Sequence, residues 1–168
     1  MNAHNSRPDL YMSVSHTCPY LADRSAANLL VDPNFSVSPA LYDQLITQGF
    51  RRNGTLYYRP QCIGCCECRS VRINVNRFTH TRSQRRTLKY NQDITQKLRP
   101  ADYSDEHFSL YRRYQAIRHS GDSMDDPDPE KYRQFLTRSD VETFITEFRV
   151  GRSPVSYTHL TLPTNREV

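Results

Sequence analysis

Four of this chain's five cysteines fall within one short run, Cys62, Cys65, Cys66 and Cys68, and that run restricts what can form around it. Thiolates spaced as Cys62-x2-Cys65-x2-Cys68 on a tight loop can converge on one soft metal, and Cys18 upstream would complete a tetrahedral shell around zinc. The same triplet spacing serves iron–sulfur clusters. No histidine lies inside the run; His80 is the first after it, and Cys66 is left over. The alternative is a set of reduced thiols packed as small apolar groups. A disulfide framework is disfavoured, because the number is odd and the cysteines crowd one segment. Met1 to Tyr11 contains no apolar run, so no secretory signal is expected. Nor is any stretch apolar for long enough to span a bilayer. The expected compartment is the cytoplasm, where thiols stay reduced.

Charge is distributed unevenly along the 168 residues. From Arg51 to Arg99 there are twelve Lys or Arg against two acids, Glu67 and Asp93. From Ala101 to Phe148 eleven acids oppose six Lys or Arg. A basic block followed by an acidic one suggests a face for polyanions, with a solvated surface as the alternative. Within the basic block, Arg82, Arg85, Arg86 and Lys89 lie three and four apart and would share one helical face. Such a face can neutralise several phosphates with a steep salt dependence, and Tyr90 could stack on an unpaired base.

The periodicities alternate between helix and strand, giving an α/β or α+β class rather than a bundle. Residues 1–17 read as a flexible polar arm. Ser38-Pro39 opens a helix with apolar positions Leu41, Leu45 and Ile46, closed by Gly49. Asn53-Gly54 predicts a hairpin pairing Phe50–Arg52 with Thr55–Arg59. Val71, Ile73 and Val75 alternate with polar residues and predict a half-buried strand. Ser83 is expected to cap a basic helix to about Tyr90, followed by a strand from Ile94 to Leu98. Asp105 to Arg118 reads as an amphipathic helix with Phe108, Leu110, Tyr111, Tyr114 and Ile117 inward. Asp128-Pro129 opens another helix to about Arg138, and Val141 to Val150 is a strand with Phe144, Phe148 and Val150 on one face.

The end reads differently. Val155-Ser156-Tyr157-Thr158-His159-Leu160-Thr161-Leu162-Pro163-Thr164 resembles the translation of a transposon-end adapter from DNA library preparation. Residues 154–168 are therefore expected to be a non-native tail, left out of the fold as a tag would be. The alternative is a native Thr-rich strand. The domains expected are 18–100, with the cysteine cluster and basic helix, and 101–153, the start of a truncated second domain. With only one strand of that second domain, an open edge is expected, and with it a poorly soluble, inactive fragment.

Several motifs occur together in order: Cys18-Pro19-Tyr20-Leu21, Tyr58-Arg59-Pro60, the run Cys62 to Arg72, and Ser83-Gln84-Arg85-Arg86-x-Leu88-Lys89-x-Asn91-Gln92-Asp93. They continue with Tyr114-Gln115-x-x-Arg118-His119 and Asp125-Asp126-Pro127-Asp128-Pro129, then Tyr132 and Phe135-Leu136. Over residues 12 to 152 the chain resembles the bacterial aspartate/glutamate leucyltransferases, relatives of the eukaryotic arginyl-tRNA–protein transferases. The resemblance implies two acyltransferase-like (GNAT-like) domains. It also implies transfer of leucine, with arginine as the other donor, from its tRNA to N-terminal Asp or Glu of proteins, which marks them for degradation. The eukaryotic relatives carry iron–sulfur ligands, two cysteines early and an adjacent pair later; this chain has one early and a spread set later. For this reaction Arg82, Arg85, Arg86 and Lys89 are the tRNA-binding candidates. Arg59, Arg69 and Arg72 are candidates for the acceptor's carboxylate, which a planar guanidinium matches. Tyr114 and His119 are the candidates for moving a proton, and Cys18, Cys62, Cys65 and Cys68 for an iron–sulfur cluster or zinc. The rival readings are a metal-stabilised RNA-binding module without catalysis and a coenzyme-A-dependent N-acyltransferase.

Overall fold

The computed structural model describes residues 7–121 and 128–161. Asp125, Asp126 and Pro127 of the last motif lie outside the described residues, as do residues 162–168 of the tail. The chain divides into two compact units, Met1–Arg72 and Ile73–Val168.

In the first unit a four-stranded antiparallel sheet runs β1 (Leu10–Met12), β4 (Asn28–Val31), β6 (Leu56–Pro60), β5 (Arg51–Asn53), and a separate small hairpin joins β2 (His16–Thr17) to β3 (Ser25–Ala26). Of the expected flexible arm, residues 1–6 lie outside the described residues, and Leu10–Met12 and His16–Thr17 are strands. Leu10–Met12 pair with Leu29–Val31, so backbone groups in that stretch are satisfied by a neighbouring strand rather than by water. Helix α1 (Pro39–Thr47) starts as its sequence requires: the Ser38 hydroxyl accepts from Leu41 N–H and proline occupies the first turn. Gly49, at φ +83°, turns the chain out of the helix. β5 and β6 pair Asn53 with Leu56, leaving Gly54-Thr55 as a two-residue turn with Gly54 at φ +59°. Val31, Val37, Tyr42, Leu45, Phe50 and Tyr57 are the buried side chains here, and the rings of Tyr42 and Tyr57 meet edge to face at 5.7 Å.

In the second unit the expected strand through Val71, Ile73 and Val75 is absent. These side chains are exposed, and Val75–Arg77 is a single 3-10 turn capped by Asn74. Alternation alone does not make a strand when no partner strand supplies hydrogen bonds. Helix α2 (Arg82–Tyr90) is capped by Thr81, two residues before the expected cap Ser83, because Thr81 and Gln84 form a reciprocal capping box. β7 (Ile94–Pro100), β8 (Thr143–Val150) and β9 (Ser153–Thr161) form an antiparallel sheet with β8 in the middle. Since β7 pairs with β8 residue by residue, 73–100 belongs with the second unit, and the boundary lies near residue 72 rather than near 100. The segment set aside as a tail is, through Thr161, the strand β9, and β8 has neighbours on both sides.

Helix α3 (Asp105–Arg118) has the expected limits but turns a different face inward. His107 and Gln115 are buried, while Tyr114 and Ile117 are exposed. Helix α4 (Pro129–Leu136) is opened by the Asp128 carboxylate, which accepts from Glu130 N–H at 2.8 Å. The core gathers Tyr132, Leu136, Val141 and Ile145. The rings of Tyr103, Phe108 and Tyr111 each stand 5.1–5.9 Å from Tyr132. On β8, Ile145 and Glu147 are the deeply buried pair on their face, whereas Phe144 and Phe148 are half-buried and Val150 is exposed.

Candidate functional site

In the first unit, the end of α1, the turn at Gly49 and the end of β6 face the cysteine loop across a cavity of about 620 Å³. Its walls carry Gln48, Phe50, Arg59, Gln61, Ser70 and Arg72 together with Cys62, Cys65, Cys66 and Cys68. Arg59 is held in place: one Nη donates to Gln48 O at 3.1 Å and the guanidinium lies 5.2 Å from the Phe50 ring centre. Its Nε is buried with no partner. A buried guanidinium N–H without an acceptor favours an incoming anion, because the cost of burying it is already met before the anion arrives. Of the three candidate acceptor arginines, the cavity brings Arg59 and Arg72 together. Arg69 is not one of its walls; its Nε donates to Cys66 O at 3.4 Å.

The cysteines of the loop share that cavity without gathering round one point. The Cys62 thiol is directed at Ala27 O, 3.8 Å away. Cys18 sits at the β2–β3 hairpin, where its N–H donates to Arg24 O. Among the described residues no three His, Cys, Asp or Glu side chains stand close enough to hold a metal ion. The thiols as arranged do not fit a tetrahedral ion or a cluster.

In the second unit Arg82, Arg85, Arg86 and Lys89 all lie on α2, which is exposed along its whole length and carries no acid. Arg85 donates to His80 O at 2.6 Å, which ties the guanidinium to the first turn. Tyr90, 87 % exposed, ends the helix with its ring open to solvent. The strip is thus a solvent-facing cationic ridge with an aromatic end.

Tyr114 and His119 come together at the end of α3, with ring centres 5.8 Å apart. Both line a second cavity, of about 630 Å³, whose walls include Leu110, Tyr111, Arg113, Gln115, Ile117 and Phe135. Gln115 is 3 % exposed and its Oε1 has no hydrogen-bond partner.

Sequence reasoning missed a cluster beneath this helix. Glu147, 3 % exposed, accepts from Arg149 Nε at 2.7 Å and lies 2.8 Å from His107 Nε2. A carboxylate only accepts, so His107 carries its proton on Nε2; its Nδ1 is buried without a partner. Arg149 also bonds Glu106, and Arg99 lies 3.8 Å from Glu147. The hydrogen bond from Arg149, aided by that from His107, holds the Glu147 carboxyl down to about 2 against the opposing effect of burial. The signal was present in the sequence: Ile145, Glu147 and Arg149 alternate on one strand face, and His107, Tyr111 and Gln115 recur every fourth residue.

Residues 16–86 match the family model described as "Arginine-tRNA-protein transferase, N terminus", and residues 106–162 match "Arginine-tRNA-protein transferase, C terminus". A protein of Nitrosococcus oceani named aspartate/glutamate leucyltransferase is 44% identical over 144 residues, covering 86% of this chain and 60% of the relative. Proteins of the same name from Hahella chejuensis and Thiobacillus denitrificans are 45% and 41% identical, covering 83% and 89% of this chain. The chain spans about three-fifths of the length of these relatives.

Proposed function

The chain belongs to the arginine-tRNA-protein transferase family, and on that premise we propose that it is the front part of an enzyme that moves leucine from its tRNA to an N-terminal Asp or Glu of an acceptor protein. The observation that carries this reading is the cavity beside the cysteine loop, which Arg59 and Arg72 both line and at which the Arg59 Nε is left without an acceptor. An acidic side chain supplies the missing partner, and a planar fork reads a carboxylate in two bonds.

The reaction is aminolysis of an activated ester. The acceptor's α-amine, ordinarily titrating near 8, must be neutral to attack the carbonyl at the tRNA's 3′ end. The ester is already reactive, so holding amine and carbonyl together supplies much of the rate. The tetrahedral intermediate collapses with the ribose oxygen as leaving group, and the proton lost by the amine ends on that oxygen. Tyr114 and His119, neighbours on one cavity, are suited to pass that proton. No covalent enzyme intermediate is required. The α2 ridge would hold tRNA phosphates, with Tyr90 available to an unpaired base.

The same reading covers the coarser features. The two units correspond to two GNAT-like domains, of which the second is begun here. The product is a protein marked for degradation, and the compartment is the cytoplasm; among the described residues no helix is long and apolar enough to cross a membrane. We read residues after about Pro154 as adapter-derived, although the match to the C-terminal family model runs to residue 162. β9 forms whatever the source of these residues, since antiparallel pairing is made by backbone groups and Val155, Tyr157 and the threonines favour strands. Resequencing the locus should replace this tail with a longer one.

The deciding assay uses the product of the resequenced reading frame, labelled leucyl-tRNA, and peptides beginning Asp, Glu, Lys or Ala. Label on the first two alone supports the proposal. RNA binding without transfer would favour a nonenzymatic module, and consumption of acetyl-coenzyme A a small-molecule acyltransferase.

A further inference from the structure

The loop that walls the cavity of the first unit carries two thiols that play no part in aminolysis. Cys62-Ile63-Gly64-Cys65 is a β-turn: Cys65 N–H donates to Cys62 O at 3.4 Å, Gly64 sits at φ +70°, and Ile63 keeps a negative φ. A positive φ at the second central residue but not the first is the type II turn, which favours glycine there. Its tip faces water, since Ile63 is fully exposed and a Cβ on Gly64 would meet nothing within 4 Å. The end residues of a β-turn have Cα atoms closer than about 7 Å, and a disulfide joins Cα atoms about 4.4–6.8 Å apart. The turn thus holds Cys62 and Cys65 at about the separation that a disulfide needs. Cys65 and Cys68 have the same spacing but no such turn between them. Cys66 and Cys68 are exposed, whereas Cys62 and Cys65 are half-buried on the cavity wall.

We propose that Cys62 and Cys65 are a reversible dithiol–disulfide site, oxidised by an anionic low-molecular-weight disulfide that enters the cavity. The charge of the reagent follows from the walls. Arg59 and Arg72 are cations, and among the described residues no Asp or Glu lines the cavity, so an anionic reagent is enriched there. The thiolate of one cysteine attacks a sulfur of the reagent and one thiolate leaves, giving a mixed disulfide. The thiolate of the second cysteine then attacks the protein sulfur of that mixed disulfide and expels the other half of the reagent. Two protein S–H bonds and the reagent's S–S bond are broken; one protein S–S bond and two reagent S–H bonds form. The protein is oxidised by two electrons, and its two protons end on the two released thiols. The weak contact from the Cys62 thiol to Ala27 O, at 3.8 Å, is lost with its proton. In a reducing compartment such a bond is transient and acts as a redox sensor rather than a structural cross-link.

The test uses the complete protein, reduced and desalted without oxygen, with glutathione disulfide as the anionic reagent and cystamine as a cationic one. After exposure, free thiols are blocked with N-ethylmaleimide, disulfides are reduced, and the thiols released are labelled with iodoacetamide. Mass spectrometry of the peptides then places each label. Labels should fall on Cys62 and Cys65 together, at least about fivefold above those on Cys18, Cys66 or Cys68, because the turn holds the second thiol beside the first. Cys62→Ser or Cys65→Ser should stop at the mixed disulfide, with glutathione kept on the remaining thiol, and Cys66→Ser should label as the parent does. The rate with glutathione disulfide should fall as salt is raised and that with cystamine should rise, as screening removes attraction in one case and repulsion in the other. Labels spread evenly over the cysteines, glutathione retained on the parent in place of an internal bond, or one salt dependence shared by both reagents overturns the assignment. A peptide beginning Asp, which the proposed acceptor site would hold in the same cavity, should slow the labelling, and one beginning Lys should not. Labelling slowed by neither counts against the acceptor site alone and leaves the disulfide where the labels place it.

Discussion

Replacing Glu147 by glutamine removes a charge while leaving the shape almost unchanged, so it isolates what the buried cluster contributes. In the parent, Glu147 is 3 % exposed, accepts from Arg149 and His107, and titrates near 2 instead of its ordinary 4.5. At about 1.4 kcal/mol per decade, that difference corresponds to about 3 kcal/mol favouring the ionised carboxylate in the folded state. The sign follows from the depressed value: the contribution is fully present above pH 4.5 and fades as pH falls through 4.5 toward 2. By pH 3 about 2 kcal/mol of it should be gone. Glu147→Gln should therefore cost about 3 kcal/mol in urea unfolding at pH 7, with an unchanged denaturant slope, and only about 1 kcal/mol at pH 3. Part of the loss at pH 7 arises because the amide keeps one acceptor oxygen where the carboxylate had two, so Arg149 Nε or His107 Nε2 loses its partner on residue 147. Circular dichroism of both proteins at the two pH values measures the gap. A penalty equal at pH 7 and pH 3 would mean that packing rather than charge holds the cluster, and the electrostatic account would fail.

Three further outcomes are expected at the other sites. Reversing charge at Arg85 and Arg86 to Glu should weaken binding of leucyl-tRNA by tenfold or more at low salt and flatten the salt dependence, checked by filter binding across salt concentrations. Arg59→Lys in the complete protein should raise KM for peptides beginning Asp or Glu by about tenfold, because an ammonium cannot make the paired bonds of a guanidinium; equal KM for both proteins would displace Arg59 from the acceptor site. Metal analysis of protein purified without oxygen should find neither stoichiometric zinc nor an iron–sulfur absorption band, since the described thiols do not converge; either signal would require the loop to close around a metal.

Where local chemistry decides, the sequence was a sufficient guide. Ser38-Pro39 and Asp128-Pro129 open helices because a side-chain oxygen satisfies an N–H that has no intrahelical partner. The Asn53-Gly54 pair marked the hairpin to within one residue: Asn53 is the last residue of β5 and the turn is Gly54-Thr55, where Gly54 takes the left-handed backbone. The basic ridge of α2 was equally legible, since spacing of three and four puts its cations on one face of any helix. The family motifs, too, were present in order before any fold was known. Partnership was what the tertiary structure decided. Val71, Ile73 and Val75 alternate like a strand but find no neighbour, while Leu10–Met12 become one because β4 offers an edge. Tyr114 and Ile117 look inward on a helical wheel, yet α3 buries His107, which Glu147 meets with a carboxylate, and Gln115. The cysteines are crowded in sequence, but spacing along a chain does not dictate where thiols point, and here they line a cavity without meeting. Rules of order one to four residues apart are carried by the backbone itself; contacts forty residues apart depend on which surfaces meet, and that is settled only by the packed molecule.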